Sequence, residues 1–209
     1  GHSQPPVLAS IIWRFVQMGT DYDKRKAIEV FPKLMAYHRW FSNARDPNNR
    51  GIISIIHPWE SGRDNCPDWD IGMQNIVIPG NLERYTRRDT SHVDSNQRPT
   101  QDQYDRFITI VNFGRECDWD SQTIYANGPF LMADPGVQFI FLRASRDLLA
   151  MAHHLEMDLA VDEIKGWVEQ VEAGSDFLWN DVVGGYCARD LRTGQFSDAI
   201  TNASTLSFF

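Results

Sequence analysis

Apolar residues spaced three and four apart recur along most of this 209-residue chain, and that period commits it to helices. Residues 5–18 carry Val7, Leu8, Ile11, Ile12, Phe15 and Val16 as one helical face, and Gly19 is the stop. Residues 23–43 repeat the pattern with Ile28, Phe31, Leu34, Met35, His38 and Phe41; Pro32 falls inside and predicts a kink or break. Thr100-Gln101-Asp102-Gln103 reads as a helix start, continued by Tyr104, Phe107, Ile108, Val111 and Cys117 to about Trp119. Asp134-Pro135 opens another helix, carrying Phe139, Ile140, Leu142, Leu148, Leu149, Ala152 and Leu155. Met157 to Trp179 holds a further one, with Ile164, Trp167, Val168 and Val171 and an interruption near Gly174. Short apolar runs lie at 51–56 and 71–78, and a long polar excursion at 80–101 carries function or covers something. Residues 184–196 alternate around Thr193-Gly194 and predict a small hairpin or extended segment. The expected class is all-α. Paired helices joined by long loops on one side suggest a helical toroid rather than a compact bundle.

Residues 57–70 break the pattern. They read His-Pro-Trp-Glu-Ser-Gly-Arg-Asp-Asn-Cys-Pro-Asp-Trp-Asp, with carboxylates at Glu60, Asp64, Asp68 and Asp70 and indoles at Trp59 and Trp69. Pro58 and Pro67 lack an N–H, and Gly62 opens backbone conformations that other residues avoid, so this is a shaped loop. Acids beside flat aromatic faces are what a sugar-processing site needs: a proton donor, acceptors for hydroxyls and a stacking platform.

Composition narrows the partners. A net charge of −8, with no basic patch to neutralise phosphates, argues against nucleic acid. No run of about twenty apolar residues is present, so no span crosses a membrane, and no signal peptide is read. Cys66, Cys117 and Cys187 are too few and too scattered for a disulfide framework or a zinc site, and their odd number fits a reducing, cytoplasmic compartment. His153-His154 lies on a helix and reads as solvent-facing or core rather than metal-binding.

The 57–70 segment, together with Gln4-Pro5-Pro6, Gln97-Arg98-Pro99-Thr100, Tyr104-Asp105-Arg106, Arg143-Ala144-Ser145-Arg146-Asp147-Leu148 and Asp190-Leu191-Arg192-Thr193-Gly194, resembles the bacterial branch of glycoside hydrolase family 63. That branch includes mannosylglycerate and glucosylglycerate hydrolases. The resemblance runs along nearly the whole chain. It implies an (α/α)6 barrel with its active site at the mouth, and hydrolysis of an α-glycosidic bond with inversion. Asp64 maps to the general acid, with Trp59 and Gly62 near the reacting sugar. Gln4 maps to a sugar hydroxyl contact, and Arg98 with Tyr104 to the acid end of a glycerate-type substrate. Partial burial of Asp64 against Trp59 or Trp69 is the expected way to keep a proton on it. Glu60, Asp68 and Asp70 read as hydroxyl contacts or loop bracing, with Asp68 and Asp70 favoured as structural, and His57 reads as bracing the loop. No metal or other cofactor is expected, because two carboxylates and a water suffice.

The chain departs from the family pattern in lacking the downstream glutamate that serves as base and the upstream aromatic- and Asp-bearing sugar loop. Residues 1–209 are therefore expected to be the middle of one catalytic domain, truncated at both ends and holding part of the barrel. An open part-barrel exposes inner helix faces and is expected to self-associate or to pair with the missing segments. Two functions compete: a glycosidase acting on a small α-glucoside or α-mannoside such as glucosylglycerate or mannosylglycerate, and a catalytically incomplete fragment with at most weak sugar binding. A trehalase-like or glucoamylase-like toroid is disfavoured by the 57–70 segment.

Overall fold

The computed structural model describes residues 2–91 and 93–208; readings placed on Gly1 and Phe209 lie outside them. Two helices open the chain, α1 (Leu8–Met18) and α2 (Asp21–Arg45). Asp23 reaches back to accept the Thr20 N–H at 2.7 Å and closes the first turn of α2. The expected break at Pro32 is absent, and α2 runs through it unbroken. Pro32 and Ile28 both face outward, where water can take the carbonyl the ring releases, while Phe31, Leu34, Met35 and Phe41 hold both halves on the core.

A two-residue strand β1 (Ser54–Ile55) leads into the 57–70 loop, which is built from short 3-10 turns at Pro58–Ser61 and Pro67–Trp69 and ends in a single turn, α3 (Asp70–Met73). Helix α4 (Gln101–Glu116) starts as expected: Thr100 Oγ1 accepts the Gln103 N–H at 3.2 Å, and Gln103 Oε1 accepts the Thr100 N–H at 2.9 Å. It stops short of Trp119 because Asp118 and Trp119 take positive φ and the Trp119 indole folds back over Gly114. A Cβ at Gly114 would stand 2.4 Å from that ring. A short helix α5 (Ser121–Asn127), capped by Asp120, follows unannounced by the sequence pattern.

After strand β2 (Met132–Ala133), helix α6 (Pro135–His154) forms the centre of the molecule, packed by α1, by the 202–208 tail and by α7 (Asp158–Ser175). Asp134 caps α6 by accepting the Gly136 and Val137 N–H groups. The α7 helix does not reach Trp179. It gives way after Ser175 to a 3-10 turn and strand β3 (Trp179–Asn180), which pairs with β4 (Gly185–Tyr186). Near its end Gly174 lies so close to Gly51 that a Cβ there would fall 2.2 Å from the Gly51 carbonyl oxygen. Strand β5 (Arg189–Asp190) completes a three-stranded antiparallel sheet in the order β1-β2-β5, and a bridge from Arg189 to Phe196 closes the expected hairpin at Thr193-Gly194.

One joint ties these layers. Buried Gln138 of α6 accepts the Ile53 N–H and donates to the carbonyls of Gly51 and Val171 and to Ser175 Oγ. It fixes the segment entering β1 against α6 and α7, and hence the start of the acid-rich loop.

Helix α1 departs from its expected orientation. Ala9 and Val16 are buried, with Ile12 and Trp13 partly so, whereas Leu8, Ile11, Phe15 and Met18 are 46 to 72% exposed. The polar stripe of Ser10, Arg14 and Gln17 leaves an apolar arc wider than the contact with the core, and only its Ala9, Ile12, Trp13 and Val16 side is covered. Among the described residues no helix is long and apolar enough to cross a membrane.

Candidate active site

The loop after β1 is held from below by a buried ion pair. Glu60, expected to brace the loop or to contact hydroxyls, is wholly buried: Arg45 donates from Nη2 at 2.6 Å and from Nε at 3.2 Å. The same carboxylate accepts the Ile56 and Ser3 N–H groups at 2.9 and 2.5 Å. With that many fixed donors, Glu60 is structural and lashes residues 3–5 to the loop. His57 is structural too. Its Nδ1 accepts the Trp59 N–H at 3.0 Å, which leaves Nε2 to donate to the Phe107 carbonyl at 3.2 Å. Burial pushes its pKa well below the usual value, so the ring stays neutral.

The far side of the loop is pinned by Arg63. It donates to Asp134 at 2.7 Å and to Asp68 at 3.3 Å, and its Nη1 also reaches Thr201 Oγ1 and Asn202 Oδ1. Asp68 in turn accepts from Thr201. Burial raises the pKa of Asp134, and the adjacent Arg63 and the two backbone donors oppose that rise. Trp69 is not a platform on display: it is 2% exposed, packed in the core, and its Nε1 donates to the Arg63 carbonyl.

Between these anchors stand the residues singled out from sequence, and the fold brings all six together. Gln4 donates to the Trp59 carbonyl at 3.2 Å. Gly62 has φ +69°, and a Cβ there would meet Pro5 at 3.7 Å. The half-buried Trp59 indole packs edge-on to Tyr104, with ring centroids 6.1 Å apart. Asp64 accepts from Arg98 Nη2 at 3.2 Å, and Asn65 donates to the Gln97 carbonyl. Asp64 is partly buried, its side chain 26% exposed, and its partner there is Arg98.

The 80–101 excursion supplies partners that sequence reasoning did not assign. Arg98 Nε also donates to Asp89 at 3.3 Å, and Asp89 is gripped through both oxygens by Arg87, at 3.1 and 2.7 Å. Those contacts hold the Asp89 carboxyl below its ordinary pKa, the Arg87 bonds most of all. Arg87 further donates to the Pro99 carbonyl and lies over the Tyr104 ring at 4.5 Å, while Tyr85 stacks on the Tyr104 ring at 5.6 Å. The advance signal was the charged cluster Arg84, Arg87, Arg88, Asp89 and Asp94 in a long polar stretch. Two surface cavities of about 230 and 540 Å³ contain none of the six residues, so chemistry rather than concavity selects this face. Among the described residues no group of three His, Cys, Asp or Glu side chains could hold a metal ion.

Residues 1–209 match the family described as the mannosylglycerate hydrolase MGH1-like glycoside hydrolase domain. A mannosylglycerate hydrolase of Thermus thermophilus is 39% identical across the whole chain, which covers 50% of that protein. A glucosylglycerate hydrolase of Mycolicibacterium hassiacum is 32% identical over 83% of the chain and 41% of its own length. The crystal structure of a GH63 mannosylglycerate hydrolase from Thermus thermophilus in complex with Tris and D-glycerate superposes with a TM-score of 0.93 at 38% identity, over 98% of this chain and 50% of that one. The chain thus spans about half the length of the curated relatives it matches. It belongs to the mannosylglycerate hydrolase MGH1-like branch of the family 63 glycoside hydrolases.

Proposed function

We propose that this chain carries the acid-bearing part of the active site of an inverting α-glycosidase whose substrate is glucosylglycerate or mannosylglycerate. The observation that carries the reading is the juxtaposition of Asp64 and Arg98 on the face lined by Gln4, Trp59, Gly62 and Tyr104. Asp64 is the general acid that protonates the leaving oxygen. Trp59 offers an indole beside the sugar ring, Gly62 lets the backbone come close, and Gln4 takes a sugar hydroxyl. Arg98, backed by Tyr104, receives the carboxylate of the glycerate aglycone, which a guanidinium fork grips with two parallel bonds.

Inversion needs a second carboxylate about 6.5–9.5 Å from the acid, with a water between. Glu60, Asp68 and Asp134 are buried and committed to Arg45 and Arg63, so none is free for that work. On this reading the base lies in the half of the relatives that the chain does not span, and the helices here are part of an (α/α)6 barrel. The test is sugar release from both glycosides, by the chain alone and by a longer protein that adds the counterparts of the unmatched half. The chain alone is expected to release nothing. The longer protein is expected to turn over and to lose all activity with Asp64→Asn. Undiminished release by that variant refutes the assignment of the acid.

A further inference from the structure

We propose that Asp64 and the substrate compete for Arg98: the aglycone's carboxylate displaces Asp64 from the guanidinium, and only the displaced Asp64 serves the glycosidic oxygen. The inference rests on the reading of Arg98 as the seat of that carboxylate and adds a specificity device to it.

The two edges of the guanidinium are held unequally. Its Nε edge faces Asp89, whose side chain is only 11% exposed and which Arg87 clamps through both oxygens, while Arg87 itself is fixed by the Pro99 carbonyl and the Tyr104 ring. That side is an anchor. On the other edge Nη2 meets Asp64 through one bond of 3.2 Å, comparable to the 3.3 Å to Asp89, but the Asp64 side chain is 26% exposed and has no clamp like Arg87, and Nη1 has no partner among the described residues. Arg98 is also the one hydrogen-bond partner of the Asp64 carboxylate among the described residues, so nothing else holds Asp64 in this position.

A carboxylate arriving from solvent can take Nη1 and Nη2 together in the two-bond geometry, which one oxygen of Asp64 does not use. The exchange replaces one carboxylate on Arg98 with another, so the charge balance around Arg87, Arg98 and Asp89 is unchanged. While Oδ2 accepts from Arg98 the Asp64 carboxyl is tethered to the guanidinium; after the exchange it is free to turn to the glycosidic oxygen and to donate there a proton taken from solvent. An aglycone with a hydroxyl where glycerate has its carboxylate cannot make the exchange. Its glycosides would therefore lose turnover, and not merely affinity.

The test is NMR of the chain labelled at aspartate carboxyl carbons and arginine Nε, titrated with D-glycerate and, as a neutral control, with glycerol. Asp64 is assigned through Asp64→Asn and Arg98 through Arg98→Gln. The expected result is a saturable shift of both the Arg98 Nε and the Asp64 carboxyl resonances with glycerate, and of neither with glycerol. Removing the competitor in Asp64→Asn should tighten glycerate binding by roughly two- to fivefold, the worth of a partly exposed ion pair. If glycerate shifts Arg98 and leaves Asp64 unmoved, the carboxylate site stands and the exchange is overturned. If Arg98 does not respond, the carboxylate site itself fails, and the exchange fails with it.

Discussion

His38 lies in the core on α2, 1% exposed, with its ring 5.2 Å from Phe141 and 5.8 Å from Trp167. Its Nδ1 bonds to the Leu34 carbonyl, and its buried Nε2 has no partner among the described residues. Desolvation lowers its pKa to about 4 from 6.5, the Leu34 bond opposing. Because the folded value is depressed, the unfolded chain takes up the proton first. The contribution to stability is therefore fully present above the unfolded pKa of 6.5 and drains away as pH falls toward 4. Linkage between those two values gives a loss of about 2 kcal/mol on going from about pH 7.5 to pH 5. His38→Phe keeps a ring between Phe141 and Trp167 and removes the unpaired nitrogen. It is expected to be no less stable than the parent near neutrality, and more stable by about 2 kcal/mol near pH 5. Urea unfolding of both proteins, followed by tryptophan fluorescence across pH 4 to 8, isolates this group, because other titrating groups cancel in the difference. A difference that stays flat over that range refutes the reasoning.

Two further perturbations probe the supports of the acid loop. Arg63→Gln leaves Asp134 and Asp68, 0% and 1% exposed, without their cation and should cost about 3–5 kcal/mol in thermal unfolding, most of it restored by adding Asp134→Asn; a loss below about 1 kcal/mol would show that the pair is not holding the loop. Within α7, Gly166 and Gly174 form a matched comparison. Gly166→Ala meets nothing within 4 Å and should gain about 1 kcal/mol of helix propensity, whereas Gly174→Ala drives a methyl into the Gly51 backbone and should lose about 1–3 kcal/mol; equal effects by calorimetry would refute the close contact.

The parts legible in sequence were those where one local rule decides. Thr100 and Asp134 announce α4 and α6 because a capping side chain must sit just ahead of its first turn. The four long amphipathic helices, α2, α4, α6 and α7, follow from their stripes. Helix α5 has seven residues, fewer than two full turns, and the strands have two each, too few for any period to register. The six candidate site residues meet on one face, yet the partners that hold them were hidden. Arg98 faces Asp64 across 34 residues, and Arg63 faces Asp134 across 71; no spacing rule links such pairs. Trp59 and Trp69 look equivalent in the motif, and only the packing of the rest of the chain decides that Trp69 enters the core while Trp59 stays at the surface of the site. Even the orientation of α1 depended on neighbours rather than on its own pattern.

The stitches on the acid-bearing loop also set a clock. Arg63 bonds to Thr201, 138 residues further along, and Glu60 bonds to Ser3, 57 residues back. Chains emerge from a ribosome at roughly 5–20 residues per second, so the loop waits about 7 to 30 s between its own synthesis and the arrival of Thr201. Contacts this distant in sequence carry the largest loop-closure cost and form late. Asp64 is consequently positioned late, after α6 and residues 202–208 have docked. Substitutions far from Asp64 that delay that docking will lower the yield of assembled sites while leaving the geometry of each finished site unchanged.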